Sequence, residues 1–247
     1  MFENLKTDES IAEDTDFIGG NSALESDIYT FVIDMAYIDK SSGGAMSLNL
    51  HLKTMQGQNL KQTIYITSGD AKGNRNYFMV KKNNQETGEK RYLPGFNIAN
   101  AICLLAIGKE ISTIPSEEKT INIYDFAQKK EVPVKKQVLM SLLGADIDLG
   151  VIKQIVDKKQ KDDNGIYVST GETRIENEID KVFRTRDGMT VAEIKALSEE
   201  AAFHDKWLEK NKGQTKDLST KTDSGASTGL PTGTSTTEAA DTASLFG

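Results

Sequence analysis

Over residues 28–67 the chain alternates apolar and polar residues in three consecutive runs, and nothing else in it restricts the fold as much. Tyr29, Phe31, Ile33, Met35 and Tyr37 share one side of the first run. In the second, Met46, Leu48, Leu50 and Leu52 alternate with Ser47, Asn49, His51 and Lys53. In the third, Leu60, Gln62, Ile64 and Ile66 alternate with Lys61, Thr63, Tyr65 and Thr67. A period of two puts each set on one face of a sheet. The polar turns Ser41-Ser42-Gly43-Gly44 and Gln56-Gly57-Gln58-Asn59 are short enough to join antiparallel neighbours. The expectation is a three-stranded meander with one buried and one wet face.

Further along, residues 68–76 read as a loop, 77–80 as a short strand and 81–90 as a second polar loop. Pro94-Gly95 precedes an apolar helix over 96–107, with Gly108 as its stop. Residues 120–124 suggest a strand with Ile121 and Ile123 inward, and 134–143 a short helix ending at Gly144. Residues 147–156 and 166–170 suggest a hairpin around a lysine-rich turn. Residues 190–210 read as one amphipathic helix, opened by the capping box Thr190-Val191-Ala192-Glu193.

The expected class is therefore α+β, mainly β. A meander, a helix and later strands suggest the five-stranded Greek-key barrel called the OB-fold, here with an inserted helix, an additional hairpin and a C-terminal helix. The expected organisation is an acidic arm over 1–27, this domain over 28–211, and a disordered Ser/Thr/Gly-rich tail over 212–247. The tail ends in Leu245 and Phe246, a hydrophobic tip suited to a protein partner.

The net charge of −7 hides an uneven distribution. Residues 1–27 carry eight acids and only Lys6, whereas 28–161 carry 19 bases and 13 acids. Residues 162–211 return to acid excess, with 12 acids and seven bases. Phosphate contacts are local, so a basic centre between acidic flanks is compatible with a nucleic-acid ligand. No apolar run approaches the roughly 18 residues of a membrane span. The first residues lack the basic stretch of a secretory signal. Cys103, the single cysteine, has no intramolecular disulfide partner and suits a reducing compartment. A cytoplasmic location is expected.

Signals for catalysis are sparse. His51, His204 and Cys103 do not make a zinc cluster of the usual type. The glycines of Gly69-Asp-Ala-Lys-Gly73 are spaced too closely for a phosphate-binding P-loop. Asp146 and Asp148, two apart on a strand, are a weak divalent-ion signal, and Glu172, Glu176 and Asp180 carry no stronger one. No cofactor or metal is expected. Binding is better signalled. Lys61, Lys72, Arg75, Lys81, Lys82, Lys90 and Arg91 outnumber Asp70, Glu86 and Glu89, and Tyr65, Tyr77, Phe78, Tyr92 and Phe96 lie among them. Single strands are held by cations that track phosphates and by rings that stack on bases. Phe78 and Phe96 are expected in the core, leaving Tyr65, Tyr77 and Tyr92 as stacking candidates.

The segments YLPGFNIANAICLLAIGKE (92–110) and TGETRIENEIDKVF (170–183) resemble bacteriophage single-stranded DNA-binding proteins, over roughly residues 28–211. The resemblance implies an OB-fold core, coating of single strands in phage DNA replication, recombination or repair within a host cytoplasm, and a tail that docks replication or recombination proteins. Here only Glu238 and Asp241 lie near Phe246, whereas such tails are strongly acidic. The expected function is non-catalytic, sequence-independent binding and protection of single-stranded DNA, with self-association left open. A protein-binding adaptor and a metal-dependent nuclease are the alternatives.

Overall fold

The computed structural model describes residues 23–125, 128–162 and 167–220. In chain order its strands are β1 (Asp27–Lys40), β2 (Met46–Thr54), β3 (Asn59–Tyr65), β4 (Tyr77–Lys82), β5 (Gln85–Tyr92), β6 (Glu117–Asp125), β7 (Lys130–Val138), β8 (Asp146–Lys161), β9 (Tyr167–Phe183) and β10 (Thr215–Asp217). The helix α1 (Pro94–Ile107) follows β5, and α2 (Val191–Lys195) and α3 (Ala202–Asn211) precede β10. None of these helices is long and apolar enough to cross a membrane.

β1 is the axis of the larger sheet. One edge pairs with β2, which pairs with β3, all antiparallel, so the meander forms as its alternation requires. The other edge of β1 is shared by two strands. Asp27 through Val32 face β8, and Tyr37 and Ile38 face β7. A register shift between Ile33 and Met35 separates the two halves. This bulge corrects the expectation that five residues of β1 share a face. Phe31 and Ile33 point to the core, but Asp34 takes up the extra position and Ala36 becomes the next buried residue. Met35 and Tyr37 fall opposite His51 and Asn49 of β2, on the polar face.

The core joins Leu48, Leu50 and Leu52 of β2 to Ile147, Leu149 and Val151 of β8, with Phe31 and Ile33 between them. Burying one such side chain contributes roughly 1.5–3 kcal/mol. Against this layer lies α1, which buries Ala99, Ile102 and Cys103 and packs Phe96, Ile98 and Leu105 on the same cluster. Pro94 opens the helix, where a missing N–H costs nothing, and Gly108 closes it in the left-handed conformation at φ 71°.

The sheet does not close into a barrel, which corrects the OB-fold expectation. Among the described residues β3 pairs only with β2, and β9 only with β8. Between these two edges α1 touches β3, β8 and β9. Across the gap a Gln62 side-chain N–H donates to Glu178 at 3.3 Å. Period-two alternation specifies faces and neighbours; closure also needs an edge-to-edge register, which alternation does not encode.

Three local expectations also change. Residues 85–92 form β5 rather than a loop, turning from β4 through Asn83 and Asn84, both at positive φ. Asparagine tolerates the left-handed turn a two-residue hairpin needs. Residues 130–138 form β7, not the start of a helix, because Val132, Val134 and Lys136 alternate against β6, and only Met140–Leu142 make a 3-10 turn. The expected helix over 190–210 breaks at Leu197, which takes φ 55°, into α2 and α3. The capping box is present, and Glu193 also accepts the Phe203 N–H at 2.8 Å, so one carboxylate starts both helices.

α3 docks through Trp207. A β-carbon on Gly150 would stand 2.9 Å from the indole, so the ring lies directly on the β8 backbone. The indole N–H donates to Asp180 at 2.6 Å. The chain then continues into β10, parallel to β8 at Lys153, Gln154 and Ile155, within the stretch that the sequence suggests is tail.

Candidate nucleic-acid interface

The candidate residues gather on β3, the loop after it, and the β4–β5 hairpin. Their placement begins with a close approach: a β-carbon on Gly95 would overlap the Tyr65 carbonyl oxygen, so only glycine lets α1 start against the end of β3. That contact brings Tyr65 beside the chain that carries Tyr92 and Phe96. The loop before β4 is closed by its own hydrogen bonds. The Ser68 N–H donates to the Arg75 carbonyl at 2.8 Å and the Arg75 N–H to the Ser68 hydroxyl at 2.9 Å. The Asp70 N–H reaches the Gly43 carbonyl at 2.8 Å, tying the loop to the β1–β2 turn. The hairpin is fastened at its base by the Leu93 N–H on the Asn76 carbonyl at 2.9 Å.

Cross-strand register sorts the hairpin side chains. Tyr77 stands opposite Tyr92 and Met79 opposite Lys90, and directly opposed residues share a face. The Lys90 ammonium lies 4.8 Å from the Tyr77 ring centre and the Arg75 guanidinium 5.8 Å, both within cation–π range. Tyr77 is half-buried and holds these two cations. Tyr92 is 58% exposed and Tyr65 52%, so these rings have free faces. Phe96 supports Tyr92 from below at 5.0 Å between ring centres.

The structure thus brings together Arg75, Tyr77, Lys90 and Tyr92, and ties the backbone of Tyr65 to the start of α1 just after them. Past a bulge, Lys81 pairs with Glu86 on the side of Tyr92. Lys82 and Arg91 fall on the reverse face with Phe78, and Arg91 is engaged by Glu89 at 2.7 Å. Lys61 is exposed on β3, opposite His51. Burial, with the Lys61 ammonium next in weight, lowers the His51 pKa, so its ring is neutral at neutral pH. Lys72 is exposed in the 3-10 turn Asp70–Lys72. Phe96 packs on the core as expected, whereas Phe78 is only half-buried.

One cation–ring pair escaped the sequence reading. The Lys161 ammonium lies 5.4 Å from the centre of the exposed Tyr167 ring near the end of the β8–β9 hairpin. The signal available was a lysine run followed by a tyrosine across a turn. Asp146 is exposed and Asp148 half-buried on β8, and among the described residues no three His, Cys, Asp or Glu side chains are grouped to hold a metal ion. Leu245, Phe246 and residues 1–22 lie outside the described residues.

No family model matches the chain, and a search of curated proteins finds no significant match. The resemblance to phage single-stranded DNA-binding proteins is therefore corrected on two grounds: neither comparison supports it, and the sheet it implied is open rather than closed.

Proposed function

We propose that the chain binds single-stranded DNA without catalysis and without reading sequence, and so protects strands parted in replication, recombination or repair. The supporting observation is the pairing, on one hairpin face, of an exposed stacking ring (Tyr92) with a cation held in place over its cross-strand neighbour (Lys90 on Tyr77). A ring with one free face accepts any base, and a fixed ammonium meets the adjacent phosphate at little entropic cost. The test is fluorescence anisotropy of a labelled oligothymidylate at several salt concentrations, with duplex DNA as competitor. Affinity is expected to fall steeply with salt and to favour the single strand. Equal affinity for duplex, or binding indifferent to salt, would reject the reading.

A protein-binding role has one observation in its favour. Leu197 is 88% exposed on a left-handed backbone between α2 and α3, a costly position for a leucine unless a partner covers it. Salt-independent capture of a protein, lost in Leu197→Ser, would support that role instead.

A further inference from the structure

A second group of cations surrounds α3. Between α3, β8, β9 and the segment entering β10 lies a groove of about 620 Å³. Lys181, Lys206, Lys210 and Lys216 line it, with Phe203 and Trp207. One carboxylate, Asp180, is also present, and it already accepts the Trp207 indole N–H. Lys206 and Lys210 are four residues apart and so project from one side of the helix. Among the described residues Lys206, Lys210 and Lys216 form no ion pair, while Lys181 reaches Asp180 at 4.0 Å. Most lysines on β7 and β8 differ: Lys135, Lys136, Lys153 and Lys158 are each matched by a carboxylate within 2.8 Å. In a protein of net charge −7, an unmatched cluster facing one cavity is a local surplus that a polyanion would neutralise.

The groove also carries a ring. Phe203 is 37% exposed, and it lies over Phe183 with centres 6.3 Å apart and planes inclined by 30°. Its orientation is fixed from behind, and the Glu193 hydrogen bond to its backbone N–H fixes the turn that carries it. Cations beside a supported, partly free ring are the same chemistry as the hairpin face, built from different elements.

We propose that this groove is a second seat for a single nucleic-acid strand, with phosphates on Lys206, Lys210 and Lys216 and a base against Phe203. The inference rests on the reading above for the identity of the polyanion. Trp207 is the only tryptophan and lines the groove, so its emission reports on this site. The experiment titrates the full chain with oligothymidylates of about 6 and about 30 nucleotides, lengths spanning the usual site sizes. Anisotropy of a labelled end and tryptophan emission are read together. The wild type is expected to show a saturable emission change with the long strand. The triple variant Lys206→Glu, Lys210→Glu, Lys216→Glu should lose that change, bind the long strand about tenfold more weakly, and show a salt slope smaller by about 2. The corresponding triple alanine variant, milder toward folding, should shift in the same direction. Unaltered long-strand affinity and salt slope in both variants would overturn the proposal, as would binding by anisotropy with silent tryptophan emission. Failure of the hairpin reading looks different: Tyr92→Ala would then bind both strands normally while the α3 variants lose binding. If the wild type binds neither strand, both proposals fall.

Discussion

β2 and β5 are both strands in antiparallel pairs, yet one is dictated by the core and the other by its turn. Leu48, Leu50 and Leu52 of β2 are almost fully buried, and β1 and β3 flank them on both edges. All eight residues of β5 are exposed, and among the described residues it pairs only with β4. A two-stranded ribbon is marginal in water by itself. This one is held by its asparagine turn and by the hydrogen bond at its base. Stability and ligand contact are thereby assigned to different side chains. Mutations in the first region should cost folding, and those in the second should cost affinity.

Thiol chemistry gives the largest contrast. Burial pushes the Cys103 thiol from 9.0 up to about 12 on α1, which leaves roughly a thousandfold less thiolate than an ordinary cysteine and no path for reagent. Alkylation of the native chain is expected to be negligible until denaturant is added. A thiol introduced on β5 by Glu86→Cys should react at the rate of a free cysteine. Rapid labelling of the unmodified native protein would mean that α1 opens readily and that the core is not the rigid half of this comparison.

Core truncation comes next. Leu50→Ala removes a fully buried side chain of the core cluster and is expected to cost about 2–5 kcal/mol in chemical denaturation. Oligonucleotide affinity, measured well below the new midpoint, should stay as it was. Tyr92→Ala is the converse experiment. It should weaken strand binding by about 1–3 kcal/mol, one stacked base, while moving stability by no more than about 0.5 kcal/mol. A large loss of stability here would show that Tyr92 is a structural clamp on Phe96 rather than a ligand ring.

What was readable in the sequence follows the same division. The meander was legible because burial of one face writes period two into residues 46–66, and α1 because Pro94 and Gly108 bracket an apolar run. β5 was hidden because its residues bury nothing, so its sequence carries no period; only the Asn83-Asn84 pair marked the turn. The break at Leu197 was hidden for the opposite reason. Residues 191–208 keep a helical apolar spacing on either side of it, and a tertiary hydrogen bond from Phe203 to Glu193, ten residues back, stabilises the interruption. At the candidate site, the residue types were visible, but the sorting of Lys82 and Arg91 to the reverse face depends on register. The groove on α3 joins residues from Ser26 to Lys216, and no local pattern connects them.

Glu193 gives the smallest effect and tests whether that interruption is structural. Burial alone would raise its pKa. The N–H groups of Thr190 and Phe203, the Thr190 hydroxyl and nearby His204 outweigh it, and the carboxyl sits below its ordinary 4.5. A depressed carboxyl favours folding while it is charged, so its contribution is complete above that ordinary value. It is lost as the pH falls below 4.5 through the folded-state pKa. Glu193→Gln keeps an acceptor but removes the charge, and should cost about 0.5–1 kcal/mol at neutral pH, in the range of a helix cap. The difference from wild type should shrink between neutral pH and an acid pH well below 4.5, as the folded-state carboxyl takes up its proton. If the two proteins instead differ by the same amount at both pH values, the contribution of Glu193 is packing rather than charge. The α2–α3 break would then be held by Trp207 seated on Gly150, and a substitution at Gly150 would be the one to release it.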